Sequence, residues 1–384
     1  MEFRFTPEQV HIRDTARAFL AAHATQAVLR QSIASGATMD RGLWGAVTDQ
    51  MGWAGVAVPE HLGGAGLTAV ELAILMQETG GALARIPLFC GAAMAIPAIL
   101  AAGTVGQQAE LIPPLITGGI ASLCFTGVHG TPGPQGVTAE LRRLGGGGFR
   151  LTGKAGFVPH AASADLIIIA CRAPNSRGAA GISLVALPAR WPGLCRTDLT
   201  TLDLTRPYST FAFDDVEVPA EKILGEAEQG GDALRHTLNF AAAMLAAEQL
   251  GGAERVLEFT LEHAKTRSQF GRPIGGFQAV KHKLADMMLL VESARSAAYY
   301  AACTAAETPE DLAGAASVTR AYCSDAYMRC ASEAIQLHGG MGYTWEHPAQ
   351  LYFKRARASA TLLGDAAYHR ELVAQMMGLD EEAA

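Results

Sequence analysis

Between residues 119 and 225 the chain stops reading as helix. "FRLTG", "ADLIIIACR", "GISLVALP" and "YSTFAFDDVEVP" are short alternating or β-branched runs, separated by Gly, Pro, Asn and Asp. That is the punctuation of strands and turns, and "RRLGGGGFR" reads as a hairpin tip among them. On both sides the apolar spacing returns to a helical period. This switch constrains the fold more than any other feature. It predicts a mainly α protein with one β domain: helical residues 1–118, an antiparallel β domain over 119–225, and a helical bundle over 226–384.

The helical blocks carry their own start and stop signals. Thr6–Gln9, "TPEQ", offers a Thr cap, Pro at the first helical position and Gln reaching back, a capping box. The glycine-punctuated Val58–Thr68 loop precedes "AVELAILMQETGGAL". In "GGAERVLEFTLEHAKTR", Ala253, Val256, Leu257, Leu261 and Ala264 share one face, and Glu254, Glu258, Glu262 and Lys265 the other. A further helix runs through "VKHKLADMMLLVESARSAAYYAA". "TPED" at Thr308–Asp311, with Thr as cap, opens a pattern lasting to about Leu337. Such a helix spans roughly 42 Å. Gly339 and Gly340 stop it as residues tolerant of left-handed backbone. At 384 residues, 49% hydrophobic and 17% charged, the chain has material for more than one core and little for an extended solvated surface.

The same composition excludes several classes of function. A net charge of −7 with no basic block argues against nucleic acid. The seven cysteines form no C-x-x-C pair, so a zinc site or thioredoxin chemistry is unsupported and no metal is expected. An odd, scattered set fits buried thiols in a reducing cytoplasm. No apolar run reaches the ~20 residues of a membrane span, and "MEFRFTPEQV" has no apolar signal core.

Two stretches stand out inside the helical C-terminal block: "RSQFGRPIGGFQ" (267–278) and "QLHGGMGYTWEHP" (336–348). Taken singly, an Arg at a helix end is a dipole partner and a Phe in a turn is core. Neither stretch is a phosphate loop or a dinucleotide fingerprint. Together they are two glycine-lined polar turns interrupting a bundle, where a ligand can approach the backbone closely.

In this order and at this separation, "RSQFGRPIGGFQAVKHKLADM" and "QLHGGMGYTWEHP" resemble the C-terminal signatures of the acyl-CoA dehydrogenase flavoproteins. "FTPEQVHIRDTARAFL" and "GWAGVAVPEHLGGAGLT" resemble that family's opening helix and N-terminal loop, so the likeness covers nearly the whole chain. The resemblance implies an acyl-CoA dehydrogenase-like fold, with a helical N-terminal domain, a β middle domain and a C-terminal four-helix bundle. It also implies FAD as cofactor, an acyl-CoA thioester as substrate and an electron-transfer flavoprotein as acceptor. The implied assembly is a homodimer, a homotetramer or a heteromer with a paralogous subunit. Carried over by motif position, Arg267 meets the FAD pyrophosphate, Phe270 packs on the nucleotide end and Gln278 makes a polar contact. Gln336, Gly339 and Gly340 line the adenosine side across a subunit boundary. Of the flavin-facing motifs, "TGVHG" keeps Thr126. "FVP" keeps the apolar shape in Phe157 and Val158, while Pro159 removes a hydroxyl.

The departures concern proton removal. The family's base, a glutamate, falls 27 residues beyond Gln336, at Leu363, or 26 residues before Arg267, at Ala241. Neither is acidic. Two substrate-holding positions beside Ala241 read Asn239 and Ala242. Candidate displaced bases are Asp365, which also suits the N-cap of the next helix, and Glu248, roughly 10 Å along the helix from Ala241. His338 reads as a turn residue. The reading preferred from the sequence is an FAD-dependent acyl-CoA dehydrogenase that carries out α,β-dehydrogenation of a CoA thioester, with a displaced base or one supplied by a partner chain. The alternative is a base-lacking subunit that completes the FAD site of a heteromer. A base-free flavin monooxygenase or oxidase on the same scaffold ranks last, since no sequence feature supports it.

Overall fold

The computed structural model describes residues 4–379. Its longer helices are α1 (Pro7–His23), α2 (Gln26–Ala34), α3 (Arg41–Asp49), α4 (Ala69–Ala82), α5 (Ile96–Ala102), α6 (Val105–Ile116), α7 (Gly231–Thr266), α8 (Gln278–Glu307), α9 (Leu312–His338), α10 (Ala349–Thr361) and α11 (Ala366–Met376). One sheet holds β1 (Ala121–Cys124), β2 (Glu140–Arg143), β3 (Phe149–Pro159), β4 (Leu166–Arg172), β5 (Ile182–Pro188), β6 (Leu194–Asp198) and β7 (Tyr208–Val218). Contacts gather the chain into two compact units. One comprises the residues up to Ile33, Ala69–Ala84 and those from Ala242 on; the other comprises Ala34–Thr68 and Arg85–Ala241.

The sheet belongs to the second unit. Its order is β1-β4-β2-β3-β7-β6, with β5 paired to β4. The β2–β3 hairpin turns through the expected glycine tip, and β3–β7, β4–β5 and β6–β7 are antiparallel. The expectation of an antiparallel domain needs one correction: β1 runs parallel to β4 over Ala121–Cys124, and β2 touches β4 in the same sense. A parallel pair requires a long crossover, here the segment 125–165. β4 carries the uninterrupted apolar run of a strand covered on both faces.

The other unit is the bundle. The Thr6 capping box forms as expected, with Gln9 N–H donating to Thr6 Oγ1. Thr308 opens a 3-10 turn at Pro309–Asp311 but makes no side-chain cap. α4 and α7 cross in near backbone contact. A Cβ on Gly251 would lie 1.7 Å from the Gln77 carbonyl oxygen, and one on Gly80 2.1 Å from that of Glu248, so only glycine admits this crossing. The tight crossing overturns one expected face. Glu254 is buried, accepting from Gln77 Nε2 at 2.7 Å and pairing with Arg295, whereas Leu261 is exposed. Burial raises the Glu254 carboxyl, and Arg295 acts against that shift.

Candidate functional site

In the bundle unit, α7 ends at Thr266 and Arg267 starts a tight hairpin, with Ser268–Gln269 pairing antiparallel to Arg272–Pro273. The turn residues Phe270 and Gly271 both take positive φ, 52° and 78°. That is the primed turn whose twist matches a two-residue hairpin, and it strains the Phe. Arg267 N–H donates to His263 O at 2.8 Å, and Ile274 N–H to Arg267 O at 2.8 Å. The backbone is therefore fixed while the Arg267 side chain stays exposed. Phe270 is 91% exposed, with its ring edge-on to Phe277 at 6.1 Å. Arg272 lies over Phe277 at 4.2 Å. Gln278 is the first, exposed residue of α8, whose N-terminus has no side-chain cap. Val280 N–H and Lys281 N–H both donate to Phe277 O, at 3.1 and 3.0 Å, and the positive end of the helix dipole lies at this terminus.

The second turn closes α9. Gln336 and Gly339 are exposed, and Gly339 N–H donates to Gln336 O at 3.2 Å. Gly339 has φ 61° and ψ −140°, a region reserved to glycine and distinct from the left-handed helical stop expected from the sequence. Added Cβ atoms on Gly339 and Gly340 would meet nothing within 4 Å. Beneath this open turn lies a cluster that the sequence did not reveal. His338, 6% exposed, stacks on His263 with centroids 4.2 Å apart and lies 4.3 Å from His347. Phe259 borders both His338 and His347.

In the sheet unit, Thr126, Phe157 and Val158 diverge. The β3–β7 register breaks between Ala155 and Val158, and Phe157 sits in that bulge at φ 53°, 43% exposed. Gly156 N–H donates to Thr126 O at 2.9 Å, so the bulge and the Thr126 loop are joined. Thr126 Oγ1 donates to Thr131 O at 2.8 Å. Val158 faces the other way, 1% exposed in the sheet core. Its apolar shape is explained by that packing.

At the two positions where the resemblance would put a base stand Leu363, 7% exposed, and Ala241, wholly buried. The displaced candidates are both engaged in structure. Asp365 caps α11, its Oδ1 accepting the Tyr368 N–H at 2.8 Å. Glu248 Oε1 lies 3.3 Å from Arg355 Nε, both side chains deeply buried. The segment between α10 and α11 is also held from below. The buried Arg320 donates to Leu362 O at 2.7 Å and to Ser359 O, and reaches Gln249 Oε1 at 2.9 Å and Ser324. His369 Nε2 donates to Leu363 O at 3.2 Å. Burial, reinforced by Arg320, pushes the His369 imidazole down to about 4. Leu363 and Gly364 take φ 63° and 101°, a strained reversal that this framework fixes.

Comparison with known proteins decides the family. The chain matches the acyl-CoA dehydrogenase N-terminal domain over residues 6–119 and the acyl-CoA dehydrogenase C-terminal domain over 228–378. It is 35% identical to acyl-CoA dehydrogenase IpdE2 of Mycobacterium tuberculosis over 93% of each chain. The chain belongs to the acyl-CoA dehydrogenase family. Among solved structures, it matches the ChsE4-ChsE5 complex from Mycobacterium tuberculosis at TM-score 0.89 and 27% identity, covering 100% of both chains. A structure described under the electron transferring flavoprotein of Acidaminococcus fermentans matches at TM-score 0.92 and 26% identity, again over 100% of both. Acyl-CoA dehydrogenases are FAD-binding flavoprotein oxidoreductases, and the observed arrangement of helical segments about a β segment is theirs.

No group of three or more His, Cys, Asp or Glu among the described residues is placed to hold a metal. No described helix is long and apolar enough to cross a membrane. Six of the seven cysteines are buried, only Cys195 being exposed. Burial raises the Cys90 thiol to about 12, which leaves it inert.

Proposed function

We propose that this chain is the base-lacking subunit of an FAD-dependent acyl-CoA dehydrogenase, completing the flavin site of a heteromer. In that heteromer a paralogous chain supplies the carboxylate. The single observation that carries this reading is the state of the base positions. Leu363 and Ala241 offer no proton acceptor, and the nearest candidates are committed elsewhere, Asp365 to the α11 cap and Glu248 to Arg355. The likeness over full length to a chain of the ChsE4-ChsE5 complex supports a heteromeric assembly.

The residues present fit FAD. Arg267 extends a planar guanidinium from a fixed backbone, a geometry suited to two phosphate oxygens, which a lysine would not reproduce. The uncapped α8 N-terminus beside Gln278 adds N–H donors for the same anion. Phe270 offers an uncovered ring, and Gly339–Gly340 leave room for close backbone approach. Within the sheet unit, Phe157 is held out of the sheet by its bulge, with the Thr126 loop bonded beside it.

Bound FAD would supply the two-electron acceptor for hydride loss at the β carbon of the CoA thioester, with an electron-transfer flavoprotein taking the electrons onward. The α proton goes to the carboxylate of the paralogous chain. This chain's part is to bind and orient. The buried, apolar Leu363 and Ala241 are suited to excluding water, without themselves moving a proton.

The test is to purify the full-length chain alone and together with a paralogue bearing glutamate at a family base position, and to measure flavin per chain. A complex of both chains with one flavin per two chains is expected. A stable homo-oligomer of this chain with one flavin in every subunit would refute the proposal.

A further inference from the structure

The helix that presents Arg267 and the helix that presents Gln336 and Gly339 meet through imidazoles. His263 lies four residues before Arg267, and its carbonyl accepts the Arg267 N–H at 2.8 Å. His338 is the last residue of α9, between Gln336 and Gly339. Their rings stack at 4.2 Å and 27°. His347, on the far side of the glycine turn, closes the group at 4.3 Å from His338.

The hydrogen bonds fix which nitrogens remain to be protonated. His338 Nδ1 lies 2.7 Å from Ala334 O, so it carries hydrogen and donates, leaving Nε2 bare. His347 Nδ1 accepts the N–H of Ala349, the first residue of α10, at 3.2 Å. A proton arriving at His347 must take that Nδ1 and break the bond.

We propose that the His263–His338 stack is a positioning device. It holds the two cofactor-contacting turns in register, and protonating it lets them part and release the flavin nucleotide. This rests on the cofactor reading above.

The charges that shift His263 and His347 lower both. Arg267 faces His263, Arg30 faces His347, and the imidazoles face one another. Arg30 and Lys354 both lie over Trp345 beside His347. Tyr352, behind Phe259, keeps its proton because burial raises it. Glu262, the acid next to His263, is paired with Lys265 at 2.8 Å. Burial first, then His338 and Arg267, lowers His263, and burial lowers His338; burial, then His338, His263 and Arg30, brings His347 down to about 4. A folded-state value below the ordinary 6.5 means that the folded protein prefers the neutral rings. Their contribution is therefore complete above 6.5 and is lost as pH falls through the lowered values.

Two substitutions separate the stack from its titration. His263→Phe keeps a ring that cannot take a proton; His263→Ala removes the ring. Each would be measured for FAD dissociation constant at about pH 7.5 and about pH 4.5, on whichever assembly binds flavin, the chain alone or with its base-bearing paralogue. On acidification the wild type should weaken by about tenfold or more and His263→Phe by about threefold or less. His263→Ala should be about tenfold weaker already at the higher pH. Hydrogen exchange of 262–270 and 336–348 supplies a readout without flavin, and both segments should lose protection together in His263→Ala. Unchanged affinity in His263→Ala, acid sensitivity equal to wild type in His263→Phe, or loss of protection confined to 262–270 would overturn the stack's role and leave the cofactor assignment standing. Absence of flavin binding by the wild type in either assembly would overturn both.

Discussion

The loop after α10 and the turn after α7 are both polar reversals at the end of a bundle helix, yet they use their polar groups in opposite ways. After α10 the polar groups point inward. Arg320 takes the carbonyls of Ser359 and Leu362, His369 takes that of Leu363, and Asp365 turns back to cap α11. After α7 the backbone is pinned, but Arg267, Phe270 and Gln278 are all displayed to the outside. The first loop is held by the chain's own side chains, and the second leaves its polar groups open. A rigid reversal at Leu363 without an acid on it is what the proposed base-lacking subunit requires.

The sharpest way to break this contrast is at Arg320. Arg320→Met leaves two helix-end carbonyls and Gln249 without their buried partner, and should cost about 3–5 kcal/mol in urea unfolding. A loss under about 1 kcal/mol would mean that the inward loop is not held as described. Next comes Glu248→Leu, which strands Arg355 and should cost about 3 kcal/mol. Adding Arg355→Leu should recover most of that loss, since the pair and not either charge is what the interior tolerates. Failure of the second change to recover stability would assign Glu248 another partner.

On the outward side, Arg267→Lys should weaken flavin binding by about tenfold, or 1.4 kcal/mol, while the unfolding midpoint of the apoprotein barely moves. A large stability loss with unchanged affinity would make Arg267 structural. The smallest effect expected is for Asp365→Ala, about 1 kcal/mol from the lost cap, with turnover per folded complex unchanged. A fall in turnover of about 100-fold or more would reveal Asp365 as a displaced base.

How much of this was legible in the sequence differs from place to place. The Thr6 capping box, the glycine hairpin and the position of the sheet follow from local chemistry, because each is decided within a few residues. The β1–β4 parallel pair was not readable: Ala121–Cys124 is a four-residue strand whose partner lies some 45 residues on, and short apolar runs carry no orientation. In the alanine-rich α7, small residues lie on every face, so the spacing assigned Glu254 outward and Leu261 inward, the reverse of what the Gly80 and Gly251 crossing imposes. Arg320 lies inside a helix with no local mark of its role, and its partners are 39 and 42 residues away. His263, His338 and His347 come from three separate segments, and nothing short of the fold brings them together. Of the expected site, Arg267, Phe270, Gln278, Gln336 and the two glycines emerge on exposed turns, and Phe157 beside Thr126 at a strained bulge. Val158 turns into the core, because strand alternation resumes immediately after the bulge, and Thr126 is buried with its hydroxyl on Thr131 O.

One measurement tests the central claim most directly: anaerobic titration of the bound flavin's absorbance with a panel of acyl-CoA thioesters, for this chain alone and for its complex with a base-bearing paralogue. Bleaching of the flavin is predicted only in the complex. Bleaching by this chain alone, at full flavin occupancy, would contradict it.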